Sequence, residues 1–412
     1  MAMAISPTLK NRIESLDVLR GAAILGILLA NIFAFAWPQL GEMMGAGIPI
    51  PGMNDWVEGL RVALVTGKFR GLFCLLFGAG MYLQFTKLEA RGGWPGTYIK
   101  RNLILTGIGL IHALLIWYGD ILFMYSMIAF GAMWFTRASN KTLLITGSAM
   151  IGACFLCGAG IVGAMSAIGS DMGAGGAGGM DFGLNSQREL AVFGAGTYLE
   201  QLQMRGMTFV FMLFNLPMIG LELGGLMLIG MYLMRSGVLA KPSANPTLTR
   251  NLMVVGGVGL LLNLLLGASI GVTGNHDVDL LAEFGLNAPL CIGYAIFGAV
   301  MVERNPGGMF SRLLAPVGKV ALTCYLLTSV ICTAAFYSWG GGLFGKLNYF
   351  GMLGFTIGVW VLLIGIAHLI TRRYSMGPVE FVWRRMTLGD FGSRHAQPET
   401  RPETLGLPPR ME

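Results

Sequence analysis

The sequence predicts an all-α membrane protein, a polytopic bundle of about ten transmembrane helices with both termini in the cytoplasm. Three observations carry that expectation. Of the 412 residues, 54% are apolar and only 12% charged, and the mean hydropathy is +0.66. The apolar residues fall in runs approaching the ~20 residues that a helix needs to cross a bilayer. Lys and Arg gather in alternate loops between those runs, while the intervening loops are acidic or neutral. Basic loops stay on the cytoplasmic side, so this asymmetry orients the chain. The 62 glycines suit helices packed in lipid, where small residues let backbones approach.

The first span is the run 21–36, free of ionisable residues and lengthened by Leu16, Val18 and Leu19. The residues before it lack the apolar core of a cleaved signal, so the helix is expected to stay in place. An outer segment, 37–67, carries Pro38, Pro49 and Pro51 and an amphipathic stretch, 56–64, suited to the membrane surface. Lys68 and Arg70 head the second span, 69–83. A basic loop with Lys87, Arg91, Lys100 and Arg101 leads to the third, 103–117. Gly119-Asp120 reads as a turn, which makes a tight hairpin with the fourth span, 121–135. The fifth is 143–165. The segment 166–206, Gly-rich at 173–179, is expected as a flexible outer loop with a short helix over 186–203. The sixth span, 208–234, is long enough to tilt, and the seventh is 252–270. An acidic outer loop, 271–287, holds His276, Asp277, Asp279 and Glu283. The last three spans are 288–302, 320–337 and 350–370. Residues 1–385 thus form one transmembrane domain, and 386–412 a polar, disordered cytoplasmic tail.

A net charge of +7 does not imply a nucleic-acid partner, because the basic residues lie between apolar runs rather than on a face with interleaved aromatics. Cys74, Cys154, Cys157, Cys291, Cys324 and Cys332 all fall inside apolar runs. Cys154 and Cys157 form a C-x-x-C, but no second pair or nearby His completes a site. They read as small packing residues, and no metal is expected.

Ionisable groups at membrane depth are functional by default, so they are the candidates. Asp17 and Arg20, three apart, share a helix face near the membrane surface, either as an anchoring pair or as ligand contacts. Asn31 lies about three turns deeper and could serve as interhelical glue or as part of a site. Arg70 and Lys68 would attract a phosphate, carboxylate or lipid headgroup, although snorkelling explains Lys68 more cheaply. His112 is flanked by apolar residues on both sides. On a continuing helix Asp120 would share its face, and a carboxylate can orient a histidine that moves protons near neutral pH. The alternative is a histidine hydrogen-bonded to a neighbouring helix. Glu222 follows Pro217 and Gly220, which can kink the helix, and is either a site carboxylate or the partner of an arginine.

Several stretches together carry a resemblance. Residues 12–21 with 28–32, 67–80, Leu110-Ile111-His112-Ala113 with Gly119-Asp120-Ile121-Leu122, 318–326 and 377–384 resemble the YeiB-like family of bacterial inner-membrane proteins. That family is similar to the transmembrane acyltransferase superfamily, which includes bacterial sugar O-acetyltransferases and the lysosomal heparan N-acetyltransferase. In the O-acetyltransferase branch the opening helix reads Leu-Asp-x-Leu-Arg-Gly, followed after an apolar stretch by a catalytic His. Here Leu16, Asp17, Leu19, Arg20 and Gly21 match, but the His position is Asn31. An amide cannot act as a general base, so the resemblance implies acyl transfer only with His112 in that role. It then implies a cytoplasmic donor such as acyl-CoA entering near Arg20, and an outward-facing or lipid-linked acceptor meeting His112, Asp120 and Arg70. The competing expectation is a transporter or a lipid or small-anion binding protein without this chemistry. The expected partners are the lipid bilayer of the bacterial inner membrane, a lipid-linked or small anionic substrate, and a second copy in a homodimer.

Overall fold

The computed structural model describes residues 13–39, 48–171, 185–274 and 281–388. Among these, every regular element is helical. The Gly-rich stretch 173–179, the residues His276, Asp277 and Asp279, and the tail beyond 388 lie outside the described residues.

The main helices are α1 (Glu14–Ala36), α2 (Asp55–Leu64), α3 (Lys68–Glu89), α4 (Gly96–Ile111), α5 (Leu122–Ala132), α6 (Asn140–Asp171), α7 (Ser186–Ala195) and α8 (Tyr198–Arg235). They are followed by α9 (Pro246–Thr273), α10 (Ala288–Arg304), α11 (Met309–Lys319), α12 (Ala321–Phe336), α13 (Tyr349–Arg373) and α14 (Pro378–Leu388). Among the described residues, seven stretches are long and apolar enough to cross a membrane: α1, α2 with α3, α4 with the turn after it, α6 as far as Ala164, α8, α9 and α13. The pair α11 and α12, bent by 82° where they join, makes an eighth if counted as one span. The other helices expected to cross are shorter, with 11 residues in α5 and 17 in α10.

Local chemistry sets the boundaries. The side chain of Asn54 accepts from Val57 N to cap α2, and Gly67, at φ 76°, supplies the left-handed residue that separates α2 from α3. At the start of α8, Thr197 and Glu200 form a reciprocal capping box. That box starts the helix ten residues before the expected span. Residues 198–207 are therefore helix rather than outer loop, and the short helix expected over 186–203 is two helices broken near Gly196.

Helix α1 sits among α3, α10, α11, α12 and α13. Its approach to α11 is backbone on backbone: a Cβ on Gly318 would lie 1.8 Å from the Asp17 carbonyl oxygen. Glycine is required at such a crossing.

Hydrogen bonds tie the basic loops together at one end of the bundle. Arg137 donates to Glu89 at 3.0 Å, Arg235 to the Thr136 carbonyl at 2.7 Å, and Ser15 to the Leu239 carbonyl at 2.6 Å. Gly307 N donates to Glu14 at 3.2 Å, and the Trp383 indole donates to the Arg101 carbonyl at 2.9 Å. The opposite end is tied by Trp37 donating to the Leu347 carbonyl at 2.8 Å and by the Tyr198 hydroxyl donating to the Leu115 carbonyl at 2.7 Å.

Candidate functional site

At the basic end a cavity of about 230 Å³ opens between α1, α3, α4, α12 and α14. Three cations line it, Arg20, Arg101 and Lys319, together with Gln84 and Tyr98. Each is placed by an identifiable contact. The glycine crossing brings α11, and with it Lys319, against α1. Gly80 leaves room for Arg20, since a Cβ there would lie 3.0 Å from Arg20 Nη2. The guanidinium of Arg101 lies 3.7 Å from the centre of the Trp383 ring, a cation–π contact that also seats α14.

The sharp bend before α12 leaves the N-terminus of that helix facing the cavity, and Glu380 caps it. Its carboxylate accepts from Leu322 N at 2.8 Å and Thr323 N at 3.1 Å, and also from the Thr323 hydroxyl. A carboxylate is favoured at a helix N-terminus, and here both of its oxygens are engaged in the cap. Asp17, only 4% exposed, stands 3.9 Å from Arg20, which is 29% exposed. The cavity thus presents a surplus of positive charge, which suits an anion.

Tyr325 forms part of the cavity wall and also lines a void of about 10 Å³ shared with Asn31, Trp117, Thr328 and Ser329. The ring of His112 lies 5.2 Å from the Tyr325 ring, centre to centre. His112 Nδ1 and Asp120 Oδ2 are 2.7 Å apart. The other carboxylate oxygen of Asp120 accepts from Phe123 N at 2.7 Å, and the Tyr325 hydroxyl accepts from Ile121 N at 3.2 Å. His112 is 1% exposed, and its Nε2 is buried without a hydrogen-bond partner among the described residues. With the proton on Nδ1 and directed at Asp120, Nε2 carries a lone pair able to accept a proton.

The pairing of His112 with Asp120 arises differently from the expected continuous helix. After Ile111 the chain makes a single π-helical turn, His112–Ile116, and Trp117 is extended. Asp120 then folds back from the linker. Gly109 makes the space, because a Cβ there would lie 2.3 Å from Phe123 N and 2.9 Å from Asp120 Oδ1.

The remaining candidates divide. Arg70 Nη2 and Glu222 Oε2 are 3.5 Å apart, so Glu222 is the partner of an arginine, one of the two roles open to it from sequence. The Arg70 carbonyl accepts from the Tyr125 hydroxyl at 2.5 Å, and Tyr125 packs on Phe73 and Phe77 of the cavity wall. Lys68 lines neither the cavity nor the void. It is fully buried and donates to the Val62 carbonyl across the α2–α3 turn, a structural tie rather than an open anion site.

Sequence reasoning did not single out as site residues Arg101 and Lys319, which read as loop charges, nor Gln84, Tyr98, Tyr325, Glu380 and Trp383 of the cavity wall. The last three lie inside stretches that carried the family resemblance, which was the available signal. Among the described residues no three His, Cys, Asp or Glu side chains converge to hold a metal ion.

Among the described residues, wholly helical regular structure, seven membrane-length apolar stretches and buried ionisable pairs define the class, a polytopic helical membrane protein. Residues 233–390, from the end of α8 through α14, match the family described as "Protein of unknown function (DUF418)". The chain is 32% identical over 386 residues to "Uncharacterized protein YeiB" of Escherichia coli K12, covering 91% of this chain and 96% of the relative. It is 28% identical over 404 residues to "Uncharacterized protein YxaH" of Bacillus subtilis 168, covering 93% and 96%. The chain belongs to this YeiB-like family.

Proposed function

We propose that the protein is a membrane-embedded acyltransferase that moves an acyl group from a cytoplasmic donor to an outward-facing or lipid-linked acceptor. The observation that carries the reading is a cationic cavity walled by Tyr325, whose ring packs against a buried histidine with an open Nε2. The donor is a substrate such as acyl-CoA, whose phosphates suit Arg20, Arg101 and Lys319. In the reaction the acceptor hydroxyl or amine attacks the thioester carbonyl while His112 Nε2 takes its proton. The C–S bond then breaks, and the thiolate leaves and is protonated. Asp120 holds the imidazole by its Nδ1–H and stabilises the imidazolium that forms.

This reading places the protein in the bacterial inner membrane with ten crossings and cytoplasmic termini. The gathering of the basic loops at one end supports that orientation. The test is turnover by purified protein given acetyl-CoA and membrane lipids, followed as thiol release and as acylated lipid. An amide at the position of the first-helix histidine, Asn31, favours a second reading, binding or transport of a lipid or small anion without chemistry. Saturable anion binding that depends on Arg20, with no thiol release, would select it.

A further inference from the structure

We propose a second anion site at the end of the bundle opposite the basic cavity, where the Arg205 guanidinium takes a carboxylate or phosphate group of the acceptor. Only the word acceptor rests on the acyl-transfer reading; the site itself stands on the burial and bonding of Arg205. This residue of α8 is fully buried. Its Nε donates to the Leu114 carbonyl at 2.7 Å, and the guanidinium lies 4.9 Å from the centre of the Tyr198 ring. Both terminal nitrogens, Nη1 and Nη2, are buried and have no hydrogen-bond partner among the described residues.

A guanidinium stays charged at any physiological pH, and burying it with idle donors is costly unless an anion completes it. Two parallel N–H groups match one carboxylate or phosphate. Among the described residues, the hydroxyl of Tyr337, within electrostatic reach of Arg205, is buried without a partner, and so is the indole N–H of Trp117. Stacking fixes both rings, Tyr337 on Phe193 at 4.6 Å and Trp117 on Phe35 at 3.9 Å. Glu189, a buried carboxylate within electrostatic reach of Tyr337, accepts from the Tyr118 hydroxyl at 3.1 Å. Leu114, whose carbonyl anchors Arg205, belongs to the same π-helical turn as His112. An anion on Arg205 is therefore held beside the turn that carries the proposed base.

The experiment is thermal unfolding of the purified full chain in detergent, titrated with sodium phosphate in one arm and sodium acetate in the other. The variants are Arg205→Met, Tyr337→Phe and, to weaken the basic cavity, Arg20→Ala. In the Arg20→Ala protein one of the two anions should still raise Tm saturably. Adding Arg205→Met should abolish that rise, or weaken its midpoint about tenfold or more, without lowering the anion-free Tm. Tyr337→Phe should weaken it severalfold. A response to phosphate alone assigns a phosphoryl ligand, and a response to acetate alone a carboxylate. An undiminished response in Arg205→Met overturns the proposal. So does a drop in its anion-free Tm combined with no anion response in the Arg20→Ala protein, because Arg205 is then purely structural. If Arg205→Met does not fold, an unchanged midpoint in Tyr337→Phe overturns it. Tm is read without turnover, so a failure of acyl transfer leaves this result standing.

Discussion

Replacing His112 by glutamine separates the proposed base from its structural role. The histidine and Asp120 side chains are 1% and 2% exposed and 2.7 Å apart, so their contact is desolvated and close to ideal length. Glutamine keeps an N–H for Asp120 but has no nitrogen able to accept a proton. General-base catalysis contributes about 10²–10⁴-fold, so His112→Gln should lose that factor in turnover, roughly 3–5 kcal/mol of barrier, while its Tm stays close to that of the wild type. His112→Ala should lose both turnover and stability, since stripping one partner from a buried pair costs about 3–5 kcal/mol. Asp120→Asn should fall between wild type and His112→Gln in turnover, because it disturbs orientation and charge without removing the base. The assay is thiol release from acetyl-CoA alongside thermal unfolding of each variant. A folded His112→Gln protein with wild-type turnover would refute the mechanism.

Three further outcomes follow from the cavity and its walls. Arg20→Ala should weaken anion binding about tenfold with a smaller effect on Tm, because its contact to Asp17 is long, 3.9 Å, and the arginine is partly exposed. Equal binding in the variant and the wild type, read by titration, would remove Arg20 from the site. Gly318→Ala should destabilise by about 1–3 kcal/mol through overpacking, since its Cβ would lie 1.8 Å from the Asp17 carbonyl oxygen; Gly107→Ala, with nothing within 4 Å, should not. Reporter fusions after Arg91, Arg137, Lys241 and Arg312 should mark the cytoplasm, and fusions near Gly176 and Asp277 the outside. A reversed signal at Gly176 would sink the ten-crossing orientation.

The helices were legible because burial in lipid asks little of a sequence beyond an apolar run, and the basic loops were legible because charge sorts by side. Lengths were less so. The expected spans did not foresee that the capping box at Thr197 and Glu200 carries α8 back to Tyr198. Arg205 went unnoticed for that reason, lying in a segment read as loop. Contacts between distant helices were beyond reach: Arg70 and Glu222 are 152 positions apart, and no local pattern names one from the other. His112 and Asp120 were paired on helical spacing, yet the chain leaves the helix between them. The short separation sufficed because the Gly109 notch lets the linker fold back.

The position of Asn31 bears on where a base can sit. Asn31 and His112 come from different helices, but both have Tyr325 as a neighbour, one across a shared void and the other ring to ring. On the proposed reading, a base in the π-helical turn after α4 could therefore stand in for one on the first helix, because both positions border Tyr325. The void beside Asn31, about 10 Å³, is near the least volume that holds one water, too little for a reacting group. The wider space is on the other side of Tyr325, in the cavity that carries Arg20, Arg101 and Lys319. On the proposed reading, a donor held by those cations would have to reach His112 past Tyr325, whose ring stands between the cavity it lines and the histidine 5.2 Å away, centre to centre.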